Sequence, residues 1–172
     1  MKFVQTSLLF FTLSLVSAHA ACAAVPRAAI FDFSFDDTSL QGEMSGPRAD
    51  EQARLAHLNA QLRTLLAQSG RYQPVNMAPV EAEERRSNLQ ACGGCELAMA
   101  QKIGADVAVT GLVQKVSNLI LNINVAIRDV ATGRVLQAQS VDIRGNTDET
   151  WSRGLNFLIA ELRRSSEAQA PR

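Results

Sequence analysis

The sequence predicts an α/β (α+β) fold, a mixed five-stranded sheet with elements in the order β-α-β-α-β-β-β-α and helices packed mainly on one face. Three observations carry this. Leu119, Leu121, Ile123, Val125 and Ile127 alternate with Ile120, Asn122, Asn124, Ala126 and Arg128, the period of a strand with one buried face. The runs Ala105 to Val113 and Val135 to Ile143 flank it, and Gly133 in the Asp129 to Arg134 turn supplies the φ freedom for an antiparallel return. Leu55, Leu58, Leu62, Leu65 and Leu66 recur at three- and four-residue spacing, as do Trp151, Leu155, Leu158 and Leu162, so two amphipathic helices pack on the sheet.

Taken in order, Ala28 to Phe35 forms the first strand, with Phe31, Phe33 and Phe35 expected on one face and Ile30, Asp32 and Ser34 on the other. Asp36 to Pro47 reads as a polar loop. A helix over Asp50 to Ser69 follows, with Gly70 placed for a left-handed C-cap. Tyr72 to Met77 is a short strand that Pro74 confines to an edge or breaks. Glu81 to Gln90 is helix-permissive and charged, and Glu96 to Ile103 is a helix stopped by Gly104. The last helix begins beyond Gly145, with Asn146 as its expected cap and Asp148 and Glu149 in its first turn.

The amino terminus has its own logic. Lys2, the apolar run Leu8 to Val16 and the small-residue stretch Ala18-His19-Ala20 fit a secretory signal peptide. A membrane span needs roughly 18 or more apolar residues, and His19, Pro26 and Arg27 cut this run short. The expected organisation is therefore a signal peptide over 1–20, with cleavage as late as residue 24, a single α/β domain over 25–164 and a disordered tail over 165–172. A periplasmic or secreted location follows. Cys22 falls beside the cleavage region, and a lipid anchor there is the lesser alternative, because His19 stands where a lipoprotein signal wants Leu.

At 172 residues, 47% hydrophobic and 20% charged, the composition is that of a globular domain. Lys+Arg and Asp+Glu both number 17, so no net field gathers nucleic acid or an anionic membrane. No hydrolase elbow, phosphate loop or metalloprotease motif is present, and with only His19 and His57 any triad would have to use His57. We expect no catalytic residue, no metal site and no cofactor.

Cys92-Gly93-Gly94-Cys95 is the one constellation suited to redox chemistry, with Cys95 at a helix start where the dipole favours thiolate. A thioredoxin-type site follows a strand directly, and here a charged helical stretch precedes. Glu96 stands where haem attachment requires His, and Cys92, Cys95 and His57 fall short of the roughly four ligands of a zinc site. In an exported chain the pair reads first as a structural disulfide tying down the helix start, and second as a thiol-disulfide carrier. On the sheet, Asn122, Asn124 and Arg128 face Ser140, Asp142 and Arg144, with Asn146 and Trp151 just beyond. These are the candidate partner-binding residues; the competing reading is a solvated sheet face with a core Trp. Small-ligand binding at the carboxyl ends of the parallel strands, near Asp32 and Asp36, is a further possibility.

The element order, the Ala29-Ile30-Phe31-Asp32-Phe33 opening and the Gly104 to Gly111 segment resemble the periplasmic α/β domain of the amino-terminal part of TolB and of the CsgG-type curli export lipoproteins. That resemblance implies a protein-binding module rather than an enzyme. The runs Lys115 to Asn122 and Val141 to Trp151 resemble an uncharacterised family of small secreted proteobacterial proteins, often found beside quinoprotein alcohol dehydrogenases. It implies a periplasmic accessory role with a protein partner and brings no catalytic residue.

Overall fold

In a computed structural model, which describes residues 24–169, the chain forms one five-stranded sheet in the order β2-β1-β3-β4-β5. The expected signal peptide and Cys22 lie outside the described residues. The elements are β1 (Arg27–Asp37), α1 (Leu40–Ser45), α2 (Ala49–Gln68), β2 (Gln73–Pro74), α3 (Glu81–Glu84), α4 (Cys95–Lys102), β3 (Val107–Lys115), β4 (Ile120–Asp129), β5 (Val135–Arg144) and α5 (Asp148–Gln169). β1 runs parallel to both β2 and β3, while β3-β4-β5 is an antiparallel meander. Helical crossovers account for the parallel half and tight turns for the antiparallel half.

The two long helices share one face. Leu58, Leu62 and Leu66 of α2 and Trp151, Leu155, Leu158 and Leu162 of α5 pack on Val109, Val113, Leu121, Ile123, Val125 and Ile127, all 4% exposed or less. The helical spacing read from the sequence thus lands on the core. Gly154 lets α5 approach closely, since a Cβ there would lie 2.7 Å from Ile143. The other face is covered only at one end, where α4 and the segment before it bury Ala29, Phe31 and Ala108 against Val80, Met99 and Ala100.

That second core explains a departure in β1. The register shifts between Ile30 and Phe33, so one extra residue bulges out of the ladder with β3. Phe31 therefore enters the smaller core, while Phe33 and Phe35 join Ile30 in the main one; the three phenylalanines do not share a face. β1 is nearly unprotected by β2, and side chains cap its edge instead: the N–H of Asp32 donates to Glu84 at 2.6 Å and that of Phe33 to Asn59 at 2.8 Å. Burial pushes the Glu84 carboxyl upward despite the hydrogen bond from Asp32.

Other boundaries moved for local reasons. The expected loop after β1 contains α1, because the Ser39 hydroxyl caps it by accepting from Gly42 N–H at 3.1 Å. The second strand shrinks to the edge dipeptide Gln73–Pro74, where Pro74 ends the ladder. Helix formation over 81–90 stops at Glu84. Leu119 lies in the β3-β4 turn and is 71% exposed, so the alternation begins one residue later. The α5 cap is Thr147 rather than Asn146: Thr147 Oγ1 accepts from Thr150 N–H at 3.3 Å and Thr150 Oγ1 accepts from Thr147 N–H at 3.2 Å. Helix α5 also continues to Gln169, where a tail was expected from Ser165. The Ser165 and Ser166 hydroxyls hold it by accepting from Gln139 and Gln137 of β5.

Gly111 is the tightest contact between β1 and β3. A Cβ there would sit 2.3 Å from the Phe33 ring, which is 3% exposed and has nowhere to go. Gly111→Ala is expected to lower stability by about 1–3 kcal/mol through overpacking, read as a lower urea midpoint with an unchanged slope. An unchanged midpoint would show that the β1 bulge accommodates the methyl group.

Candidate functional site

Three places gather polar side chains. The first is at the carboxyl ends of β1 and β3. Lys115 follows Val113 on the core-facing parity of β3, and its side chain is fully buried. Its ammonium donates to Glu51 Oε1 at 2.7 Å, Asp37 Oδ2 at 2.9 Å and Gln41 Oε1 at 3.2 Å, so all three donors are used. Glu51, also fully buried, projects from the first turn of α2 and accepts as well from Asn146 Nδ2 at 2.6 Å. The Oδ1 of Asn146 in turn accepts from Arg54 at 2.9 Å and from the indole N–H of Trp151 at 3.0 Å. Arg54 closes the cluster with Asp148 at 2.7 Å and lies 5.5 Å from the Trp151 ring centroid.

Burial opposes ionisation of Asp37, but hydrogen bonds from Ser39 and Lys115 outweigh it and hold the carboxyl below its ordinary 3.8. Burial likewise opposes the charge on Lys115, and the hydrogen bonds and charges of Glu51 and Asp37 overcome it, holding the ammonium above its ordinary 10.5. Their charges offset one another internally, while Glu51 Oε2 is buried with no hydrogen-bond partner among the described residues. The Ser39 hydroxyl that donates to Asp37 also caps α1, and the cluster works as a clamp between β1, β3, α2 and the β5-α5 turn.

The second place is the uncovered face of β3-β4-β5. Asn122 stands opposite Asp142 and Asn124 opposite Ser140. Asn122 Nδ2 donates to Ser140 and Asp142, both at 2.8 Å, and the Ser140 hydroxyl donates back to Asn122 Oδ1 at 3.1 Å. Leu112, Ala126 and Ala138 share this open groove, with Gln90 at its rim. β5 is also a sheet edge. Gly145 N–H donates to Leu119 O, so antiparallel alternation turns the backbone groups of Ala138, Ser140 and Asp142 away from β4.

The third place is the loop before α4, where Cys92 and Cys95 are joined in a disulfide.

The structure therefore brings together Asn122, Asn124, Ser140 and Asp142 of the expected binding surface, keeps Arg144 on the same strand parity as Ser140 and Asp142, and separates Arg128, Asn146 and Trp151 from them. Arg144 is exposed at the far end of β5, opposite Ile120. Arg128 is drawn to Glu96 and to the Gly133 carbonyl. Asn146 turns inward to the clamp, and Trp151, 1% exposed, is a core residue packed 5.8 Å from Phe35. Trp151 is too deeply buried to meet a partner directly, whereas Asn146 is half-buried. Asp32 is paired with Arg63, Asp36 is exposed, and His57 lies exposed on α2, lining a surface pocket together with Asp148 and Ser152. Lys115, Glu51, Arg54 and Asp37 were not anticipated. Their signal was a charge standing at a core-facing position of a strand and of a helix stripe.

This architecture defines a small mixed α/β module with a sealed polar clamp and an uncovered antiparallel face. The chain belongs to the DUF3280 family, described as "Protein of unknown function (DUF2380)", which matches residues 26–162. No curated protein matches it in sequence. Among solved structures it is similar to the C-terminal domains of LpoB from Salmonella enterica and from Escherichia coli, each with a TM-score of 0.50 and 14% identity over 73% of this chain and 87% of that one. It is also similar to TolB from Acinetobacter baumannii, with a TM-score of 0.46 and 15% identity over 83% of this chain and 29% of that one. At such identity the LpoB likeness establishes the fold. Among the described residues no helix is long and apolar enough to cross a membrane.

Lys115→Met is expected to destabilise by about 3–5 kcal/mol, because two carboxylates lose their buried counter-charge. Adding Glu51→Leu is expected to recover part of the loss in denaturant titrations. The pH dependence follows from the signs. Asp37, lowered on folding, contributes in full above its unfolded value near 3.8 and loses its contribution as pH falls through its folded value. Lys115, raised on folding, contributes in full below 10.5 and loses its contribution as pH rises through its folded value. Asp37→Asn is expected to flatten the acid limb of stability against pH; an unaltered limb would remove Asp37 from the clamp.

Proposed function

We propose that the protein is a non-enzymatic accessory module that docks a protein partner on the open face and free edge of β3-β4-β5. One observation carries the reading: the antiparallel half of the sheet is left uncovered, whereas the buried charged groups at the strand ends are locked to one another. The uncovered face pairs small uncharged polar groups with Leu112, Ala126 and Ala138, a surface that desolvates without stranding a charge except at Asp142. The free edge adds backbone donors and acceptors that an extended partner segment can pair.

The amino-terminal pattern of Lys2, the apolar run Leu8 to Val16 and Ala18-His19-Ala20, read as an export signal, supports a periplasmic setting for this docking. The resemblance of the runs Lys115 to Asn122 and Val141 to Trp151 to secreted proteins found beside quinoprotein alcohol dehydrogenases makes a component of such an alcohol-oxidising system the first partner to test. Arg144, exposed at the end of the docking edge, is the charged anchor in this reading.

A photo-crosslinking side chain at Ala138, introduced into the chain in its native cells, is expected to trap one protein identifiable by mass spectrometry. The same group at Ala56, exposed on α2, is expected to trap none. Arg144→Glu is expected to weaken the Ala138 adduct several-fold. Equal adducts from Ala138 and Ala56 would contradict docking at this face.

A further inference from the structure

The loop before α4 is built around two glycines. Gly93 and Gly94 have φ of +68° and +110°, conformations that other residues resist, and they fold Cys92 back onto the start of the helix. Cys92 is exposed and Cys95 half-buried, and the Cys95 N–H donates to Cys92 Sγ at 3.3 Å. That contact and the N-terminal end of α4 both stabilise negative charge on Cys92 once the bond opens.

Glu96 is the unexplained member of this group. Its side chain is 4% exposed; Oε1 is paired with Arg128, and Oε2 is buried with no hydrogen-bond partner among the described residues. A carboxylate oxygen of Glu96 and both cysteine sulfurs lie within 4.8 Å of one another. A disulfide has no proton to offer a buried acceptor. A dithiol does, so opening the bond brings a donor beside the Glu96 carboxylate, which holds one unpartnered oxygen. The crosslink closes a sequence separation of only three, which restricts the unfolded chain little. The surroundings thus favour the reduced form more than a structural staple would.

We propose that Cys92 and Cys95 form a dithiol-disulfide exchange centre for the cysteine thiols of a partner protein, with buried Glu96 positioning the Cys95 thiol. In the oxidising direction a partner thiolate attacks Cys92 Sγ, the Cys92–Cys95 bond breaks, and its electron pair leaves on Cys95. Cys95 takes up a proton and donates it in a hydrogen bond to Glu96. A second partner thiolate then attacks the partner sulfur of the mixed disulfide and releases Cys92 as a thiolate. Two partner thiols become one disulfide, and the two electrons reside on Cys92 and Cys95. This site is separate from the docking reading and is tested with a small thiol.

The experiment equilibrates the folded full chain with glutathione buffers, quenches it and counts free thiols by mass. We expect reduction by millimolar glutathione without unfolding, and a glutathione adduct held at Cys92 in Cys95→Ser. A Cys92–Cys95 bond that stays closed at every glutathione ratio, as structural disulfides do, overturns the proposal. Glu96→Gln removes a negative charge beside the thiols, so alkylation of the reduced chain near pH 6.5 is expected to accelerate about tenfold, with its pH profile moved about one unit lower. An unmoved profile overturns the role of Glu96. Should that variant not fold, the glutathione equilibrium of the unaltered chain still decides the exchange centre.

Discussion

A fully buried ammonium is tolerable only where every proton it carries finds an acceptor and its charge is matched, and Lys115 meets both conditions at Glu51, Asp37 and Gln41. The rest of that end of the molecule takes position from it. Asp37 fixes the end of β1 and, through Ser39, the start of α1; Glu51 fixes the first turn of α2 and, through Asn146, the entry to α5. A Cβ on Gly42 would lie 2.5 Å from the Asp37 carboxyl, so the backbone of α1 sits directly over the clamp. The functional consequence is negative but useful: Asp37 and Lys115, at the carboxyl ends of parallel strands where α/β folds commonly place ligands, are here committed to holding elements together.

The proposed docking uses a surface that the fold leaves open. Both long helices lie on one side because the crossover from β1 to β2 and the return after β5 fall on the same face. On the other side α4 reaches only the β1 and β3 end, and the meander beyond it meets solvent through Asn122, Asn124, Ser140 and Asp142. These side chains satisfy one another across the strands, which keeps the face ordered without covering it. The disulfide loop stands beside this groove through Gln90, so the Cys92–Cys95 pair and the uncovered face are neighbours.

Much of the fold was legible because its signals are local. The alternation in Leu121 to Ile127, the leucine spacing of α2 and the Trp151 to Leu162 stripe each report burial directly. What could not be read depends on partners distant in sequence. The three phenylalanines of β1 suggest one face, and only the demand of a second core for Phe31 forces the bulge. Asn146 looked like a cap because Glu149 follows it, yet the pull of Glu51, Arg54 and Trp151 turns it inward and leaves capping to Thr147. Trp151 is compatible with an interface anchor or a core residue until α2 is placed against it. The clamp was half visible: Lys115 keeps step with Val109 and Val113, and Glu51 lies one heptad before Leu58. Reading those two opposite charges as a pair needed only the question of where a charge on a buried stripe finds its counter-ion.

In the docking proposed above, the β3-β4-β5 face and its free edge are vacant in the isolated chain and filled in the working complex. Amide hydrogen exchange at Ala138, Ser140 and Asp142 measures this most directly, comparing the chain alone with the chain in its crosslink-identified complex. Rapid exchange is expected at these outward-facing amides in the chain alone and strong protection in the complex, with the α2 and α5 amides unchanged. Protection confined to α2 and α5, with the β5 amides still exchanging freely, would contradict the proposed docking.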